Sequence, residues 1–246
     1  MWKAWQAAPL LPAFACALAV AHALLVPLEL STAPAVALPG WLASLALGVF
    51  WIGWLGAQRV WYLRAFRSAP FGPRLLWLLS WRFLGRFLRL GLLLAWRFIL
   101  LWVLLLALFV LARRAGGYGL PAWYGLAAFA CGIPMSAVLT FGAPALCYTT
   151  RSPAEALRIG FAMTRTFWPD VALYVLLPPA AILVMARISA QQLGGGLLLA
   201  GAMSALMNVL LTGAAASFFL RHNEVVPEAL PPEARLREPE QSEEGG

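Results

Sequence analysis

Six long apolar stretches constrain the fold of this 246-residue chain more than any other feature. A membrane-spanning helix needs about 20 mostly apolar residues, and six segments reach or approach that length. They are Leu10–Leu30, Gly40–Ala57, Leu90–Ala112, Ala122–Tyr148, Pro169–Ser189 and Leu197–Leu220. The turn-forming sequences "STAPAVALP", "RRAGGYGLP" and "QQLGGG" each join two of them. The pattern predicts an all-α fold, a polytopic membrane bundle of six transmembrane helices.

Composition excludes the ordinary soluble classes. Hydrophobic residues make up 62% of the chain and charged residues 11%, whereas a soluble domain carries about 25% charged residues. The formal net charge of +8 raises the question of nucleic acid. Because the basic residues alternate with stretches that only lipid can solvate, we predict anionic phospholipids as partners and no nucleic acid.

The distribution of basic residues predicts an orientation. Fifteen of the 18 fall on one side of the six-span arrangement, and only Arg113, Arg114 and Arg187 fall on the other. Positive residues favour the cytoplasmic side, so we predict a bacterial inner-membrane protein with both termini in the cytoplasm. The sequence "AVAHA" leaves open that the first span is a cleaved signal. The apolar run that continues to Leu30 favours an uncleaved span.

An amphipathic segment precedes the third span. Arg82, Arg86 and Arg89 fall within about 60° of arc on a helix. The opposite side is formed by Phe83, Leu84, Phe87 and Leu88. The pattern predicts an elbow helix in the cytoplasmic interface, with arginines toward anionic headgroups and aromatic rings toward acyl chains. Arg97, just inside the third span, is expected to extend back to the headgroups.

A second amphipathic elbow precedes the fifth span. Arg151, Arg158 and Arg165 follow one another at intervals of seven, which places them on one helix face. The opposite face contains Ala156, Met163 and Phe167. Ser152 and Glu155 have the spacing of a capping box at the start of this helix. These three arginines are likewise predicted to bind lipid headgroups.

The two elbows indicate a parallel internal repeat. Residues 40–112 and 122–189 each read as span, elbow, span, with Arg82 aligned on Arg165. Chance amphipathicity in a basic membrane protein is the alternative. We predict one membrane domain over residues 1–222. The Pro- and Glu-rich residues 223–246 are predicted to be a disordered acidic tail, either a solvated spacer or a segment that folds back on the elbows.

The second elbow resembles a segment of a known group of proteins. Its features are a Pro-x-Glu-Ala-Leu start, a Thr-Arg pair and a Phe-Trp pair before an apolar helix. They fall at Pro153, Glu155, Ala156, Leu157, Thr164, Arg165, Phe167 and Trp168. The segment is similar to bacterial six-span membrane proteins, including the membrane domain fused to some glycerophosphodiester phosphodiesterases. The resemblance covers about a tenth of the chain. It implies a fold and a location but no catalytic residues.

Ionisable residues are too few to predict an enzyme. The acids outside the tail are Glu29, Glu155 and Asp170, and each has a structural interpretation at a helix end. No catalytic motif and no metal-ligand spacing is present. The cysteines Cys16, Cys131 and Cys147 read as small apolar residues. We therefore predict a protein that is not an enzyme, without cofactor or metal.

Small residues at four-residue intervals predict close helix packing in the second, fourth and sixth spans. These spans are expected to form the core, and the Leu-rich third span is expected to face lipid. Some of the small residues are polar and predict an intramembrane polar track: Ser136, Thr140, Ser204, Asn208 and Thr212. Packing, with each hydroxyl bonded within its own helix, is favoured over a pathway for a solute.

Two functions stay open at this point. The first is a non-catalytic membrane protein that interacts with lipid, or that is a subunit or scaffold of a membrane assembly with a membrane-protein partner. The second is a transporter or permease component for a small or lipid-like solute. The elbows favour the first, because the chain lacks the ionisable relay that ion-coupled transporters carry.

Overall fold

The computed structural model describes residues 10–29, 33–69, 71–116, 122–177 and 195–235. Regular structure in these ranges is helical throughout, so the predicted all-α class is confirmed. The helices are α1 (Leu10–Glu29), α2 (Pro34–Phe66), α3 (Pro73–Arg97), α4 (Ile99–Gly116), α5 (Ala122–Tyr148), α6 (Pro153–Thr166), α7 (Trp168–Leu177) and α8 (Gly195–His222). Two single 3₁₀ turns follow, at Pro227–Ala229 and Pro232–Ala234.

Proline and backbone hydrogen bonds set the ends of several helices. Pro34, Pro73 and Pro153 stand in the first turns of α2, α3 and α6, where a missing N–H costs nothing. At the end of α2, Ser68 has a φ of 53°. The Ala69 amide then donates to the carbonyl oxygen of Arg64 at 2.8 Å, which closes the helix in a Schellman arrangement.

Membrane-spanning capacity is clearest in α2. Among the described residues, Ala35–Phe66 is the one helix long and apolar enough to cross a bilayer by itself. Only 6% of its most apolar stretch is buried, unlike the core helix of a soluble protein, and a signal sequence near the N-terminus meets the same criteria of length and composition. The pair α3 and α4 qualifies as a second if it is counted as one broken span. The predicted count of six spans is not established by these helices.

The predicted third span is interrupted. Leu90–Ala112 was expected to be one helix, but α3 ends at Arg97 and α4 begins at Ile99, with a bend of 63° between them. The break falls directly after the last arginine of the amphipathic helix. Neither Pro nor Gly occupies positions 92–102, so the usual sequence signals for a kink are lacking.

α2 packs along α3 turn by turn. The rings of Phe50 and Trp77 stack at 5.3 Å, and Arg59 lies over Phe87. Between these contacts, Gly53 of α2 lies against the backbone of Ser80 in α3. The residue numbers rise together in both helices, so the two run in the same direction over this contact. Glycine is required here because a Cβ at position 53 would overlap the Ser80 carbonyl group.

Helices α5 and α6 are joined by equally close contacts. A Cβ at Gly160 would come within 2.5 Å of the Val138 carbonyl oxygen and 2.7 Å of the Gly142 nitrogen. The Thr164 hydroxyl donates to the Ala137 carbonyl oxygen at 2.9 Å. Helix α1 packs against α8 and α2. The pairs α2–α3 and α5–α6 therefore each place a long apolar helix against an amphipathic one.

The core lies where α2, α3, α5 and α8 meet. Its largest fully buried side chains include Trp54, Phe83, Phe141, Tyr148 and Phe219. The spans predicted to form the core correspond to α2, α5 and α8, and all three contribute. Large apolar side chains are exposed on α4 and on the first half of α2, among them Leu38, Trp41, Leu45, Leu100 and Leu106. An exposed apolar surface of this extent is typical of contact with lipid or a partner.

Candidate functional site

Part of the tail packs against the helix bundle. We call residues 224–235 the tail segment. The Val226 amide donates to the Tyr148 carbonyl oxygen at 2.8 Å. Ala229, Leu230 and Ala234 are buried. This differs from the predicted disorder over residues 223–235, because apolar side chains between the prolines find a surface to pack on. Residues 236–246 lie outside the described part of the chain.

Arginines from α2 and α3 hold the tail segment. Arg86 donates to the Ala229 carbonyl oxygen at 2.6 Å, and Arg64 donates to the Ala234 carbonyl oxygen at 3.4 Å. Arg82 forms an ion pair with Glu233 at 3.0 Å. A hydrogen bond from the backbone amide of the same residue, followed by the bond from Arg82, lowers the pKa of the Glu233 carboxyl against the opposing effect of desolvation.

The contacts change the interpretation of the first elbow. Arg82 and Arg86 were predicted to face headgroups, but both contact the tail segment. Arg89 and Arg97 are exposed. Phe83 and Phe87 were predicted to face acyl chains and are buried in the protein, at 0% and 7% exposure. The reason is the contact with α2, which takes up the apolar stripe of α3 before lipid can.

The second elbow keeps its arginines exposed. Arg151, Arg158 and Arg165 are all on the surface, while Ala156 and Met163 on the opposite face are buried. Arg158 lies 3.9 Å from the exposed Glu155, a separation at which a surface ion pair contributes little. Trp168, the first residue of α7, is 51% exposed. We call Arg151, Arg158 and Arg165 the α6 arginine face.

The predicted capping box of Ser152 and Glu155 at the start of α6 is wrong for Ser152. Ser152 occupies the N-cap position without a side-chain cap. Instead Thr150, two residues earlier, accepts a hydrogen bond from the Ser152 amide at 3.0 Å and donates to Glu155 at 2.6 Å. The hydroxyl thus orients Glu155 through the turn, and the box motif by itself does not reveal this.

Two buried polar residues escaped prediction. Gln58 is 1% exposed and neither atom of its amide has a hydrogen-bond partner. Arg59 is 8% exposed; one terminal nitrogen donates to the Leu55 carbonyl oxygen at 2.5 Å, and its Nε is unpartnered. The sequence does contain a signal for their burial. In "GAQRVWYL" the two polar residues are flanked by apolar residues, which would surround them on a helix.

Two residues of the predicted polar track, Thr140 and Thr212, donate hydrogen bonds within their own helices. Thr140 donates to the Ser136 carbonyl oxygen at 2.9 Å, and Thr212 donates to the side-chain oxygen of Asn208 at 3.0 Å. Asn208 itself is exposed. Ser204 is in α8, but its side chain lies outside the described part of the structure. These bonds are of the kind that the packing interpretation expects, and the track stays a prediction.

Metal-ligating side chains are scattered through the described ranges. Nowhere in those ranges do three or more His, Cys, Asp or Glu residues gather closely enough to hold a metal ion. Cys147 is buried and Cys16 half-buried, and both are free thiols.

Comparison of the chain with models of protein families, with curated proteins and with solved structures finds no match. The resemblance of residues 153–168 to the membrane domain of glycerophosphodiester phosphodiesterases therefore gains no support from these comparisons.

Proposed function

We propose that the protein is a non-catalytic, six-span helical protein of a bacterial inner membrane, with both termini in the cytoplasm. In this proposal it interacts with anionic phospholipids of the cytoplasmic leaflet, by itself or as a subunit of a membrane assembly. The exposed apolar surface of α4 and of the first half of α2 supports a lipid environment.

The observation that carries the proposal is the α6 arginine face. Arg158 and Arg165 are exposed on one side of α6, whose other side is packed into the protein, and Arg151 is exposed just before the helix begins. Trp168, also exposed, follows the helix. This arrangement suits the headgroup region of a membrane, where lipid phosphates attract arginine and where Trp side chains are enriched.

The first elbow has a smaller part in the proposal than the sequence predicts. Arg82 and Arg86 are engaged by the tail segment, which leaves Arg89 and Arg97 exposed for headgroups on α3 and its end. Transport of a small or lipid-like solute stays the second candidate. It is favoured by one observation, the unpartnered polar atoms of Gln58 and Arg59 inside the bundle.

Native mass spectrometry of the protein in detergent with added lipid tests the first proposal. The triple variant Arg151→Gln, Arg158→Gln, Arg165→Gln is expected to retain less phosphatidylglycerol than the unmodified protein. At about 1 kcal/mol for each basic group near an anionic surface, the loss amounts to roughly 100-fold in affinity. Retention of phosphatidylcholine is expected to stay the same.

A matched variant controls for charge. Arg113→Gln with Arg114→Gln removes two exposed arginines at the end of α4, which the proposal places on the opposite side of the membrane. This variant is expected to retain phosphatidylglycerol nearly as the unmodified protein does. Equal retention by the α6 triple variant and the unmodified protein contradicts lipid binding by the α6 arginine face.

A further inference from the structure

The tail segment covers positive charge on α3. Arg82 pairs with Glu233 at 3.0 Å, and Arg86 donates to the Ala229 carbonyl oxygen at 2.6 Å. Both arginines lie on the helix face whose spacing predicts contact with headgroups. The carboxylate and the carbonyl oxygen of the tail therefore occupy N–H donors of the kind that a lipid phosphate binds.

The covered arginines adjoin the α6 arginine face. Helix α3 packs against α6, and Arg86 is within electrostatic range of Arg151. Like charges at close range repel, and an anionic group beside them relieves the repulsion. The positive charge of α3 therefore adds to that of the α6 arginine face where the two helices meet.

A small set of contacts holds the tail segment in place. Besides its bonds with α3, the Val226 amide donates to the Tyr148 carbonyl oxygen at 2.8 Å, and Arg64 donates to the Ala234 carbonyl oxygen at 3.4 Å. Leu230 is the largest side chain that the segment buries. A segment held by few buried apolar contacts opens more readily than the core of the protein does.

We infer that the tail segment and anionic lipid compete for Arg82 and Arg86. The inference rests on the proposed lipid binding and adds its regulation, since the docked tail lowers the affinity for anionic headgroups and release of the tail raises it. The Arg82–Glu233 pair is partly exposed. Such a pair contributes no more than a basic group gains beside an anionic membrane surface, so a headgroup can displace Glu233.

Glu233→Gln tests the competition by native mass spectrometry of the full chain in detergent with added lipid. The variant is expected to bind phosphatidylglycerol about fivefold more tightly than the unmodified protein, the gain from one basic group near an anionic surface. Binding of phosphatidylcholine is expected to stay the same. Glu228→Gln is the matched control, because Glu228 is an exposed acid of the same segment and belongs to neither ion pair of the described residues. It is expected to bind lipid as the unmodified protein does.

Two further variants separate release of the tail from a general change of charge. Leu230→Ala keeps every charge but removes a buried apolar contact of the tail, so it is expected to raise phosphatidylglycerol binding as well. Glu233→Gln in a chain that carries Arg82→Gln and Arg86→Gln is expected to bring no gain. The inference is overturned if Glu233→Gln or Leu230→Ala brings no gain, if Glu228→Gln brings an equal one, or if the gain persists without the two arginines.

Hydrogen exchange of the backbone amides in residues 224–235 measures the reverse effect. Coupling between two binding events is reciprocal, so lipid weakens docking of the tail by the factor by which the tail weakens lipid binding. Phosphatidylglycerol in mixed micelles is therefore expected to speed this exchange about fivefold relative to phosphatidylcholine. Unchanged exchange contradicts the inference.

The α6 triple variant distinguishes failure of this inference from failure of the proposed function. If the triple variant loses phosphatidylglycerol while Glu233→Gln gains none, lipid binding by the α6 arginine face stands and the competition is wrong. If the triple variant loses none, lipid binding by the α6 arginine face is wrong. A gain in Glu233→Gln that depends on Arg82 and Arg86 then still supports the competition.

Discussion

At the scale of single residues, two neighbouring polar side chains of α2, Gln58 and Arg59, are buried. Ser80 on the neighbouring helix is equally buried, yet its hydroxyl donates to the Leu76 carbonyl oxygen at 2.9 Å. Gln58 has no such partner for either amide atom. A buried amide without hydrogen bonds loses its hydration and gains nothing in return.

Gln58→Leu is therefore expected to stabilise the protein by about 1–3 kcal/mol, the cost of leaving a buried polar group unsatisfied. The measurement is the unfolding temperature in detergent. Ser80→Ala serves as a contrasting control and is expected to destabilise by about 1 kcal/mol. A loss of stability in Gln58→Leu means that the amide has a partner in solution and contradicts the prediction.

At the scale of helices, glycine decides how closely α2 and α3 approach. The small residues that predict close packing of the second span include Gly48 and Gly56. Gly56 lies against Phe83, but a Cβ at Gly48 meets nothing within 4 Å. The closest approach is at Gly53, which the pattern did not single out. Spacing alone identifies a helix with small residues, whereas the contacting residue depends on where the partner helix crosses.

Gly53→Ala is expected to destabilise the protein by about 1–3 kcal/mol, because the added methyl group meets the rigid backbone of Ser80. Gly48→Ala, on the same helix, has open space and is expected to be neutral or to stabilise by up to about 1 kcal/mol. Unfolding temperatures of the two variants make the comparison. Similar effects at both positions contradict the packing described for α2 and α3.

Helix periodicity explains what the sequence did predict at this scale. The arginine and apolar faces of α6 follow from 3.6 residues per turn, a property of the segment itself. The apolar face of α3 was also predicted, but its partner was taken to be lipid. Phe83 and Phe87 meet α2 instead, and no local pattern distinguishes an apolar face that packs on protein from one that packs on lipid.

At the scale of the whole molecule, the tail segment joins the end of the chain to α3. Its composition, rich in Pro and Glu, is that of disordered segments, and its contacts are with residues far away in the sequence. Arg82 and Glu233, for example, are 151 positions apart. Composition describes a segment in isolation, so a docked tail of this kind cannot be predicted from it.

Docking of the tail segment is expected to weaken in acid. The Glu233 pKa is lowered in the folded protein, so its contribution is fully present above the pKa of a free Glu, about 4.3. It is lost as the pH falls through the lowered value. The loss of docking is measured by hydrogen exchange of the backbone amides in residues 224–235, corrected for the intrinsic effect of pH on exchange.

Because the side chains of Arg82 and Glu233 are 59% and 27% exposed, the pair contributes up to about 1 kcal/mol, or roughly fivefold in exchange. Arg82→Gln is expected to reduce this pH dependence in part, because the hydrogen bond from the backbone amide of Glu233 is the larger cause of the lowered pKa and is retained. An unchanged pH dependence in that variant means that another group is responsible.

The distance along the chain between Arg82 and Glu233 also orders events during synthesis. At 5–20 residues per second, the ribosome needs roughly 8 to 30 s to add the 151 positions that separate them. Throughout that interval Arg82 and Arg86 exist without their final partner. A newly made α3 therefore carries its full positive charge during that interval, and part of this charge is neutralised only after Glu233 has been synthesised.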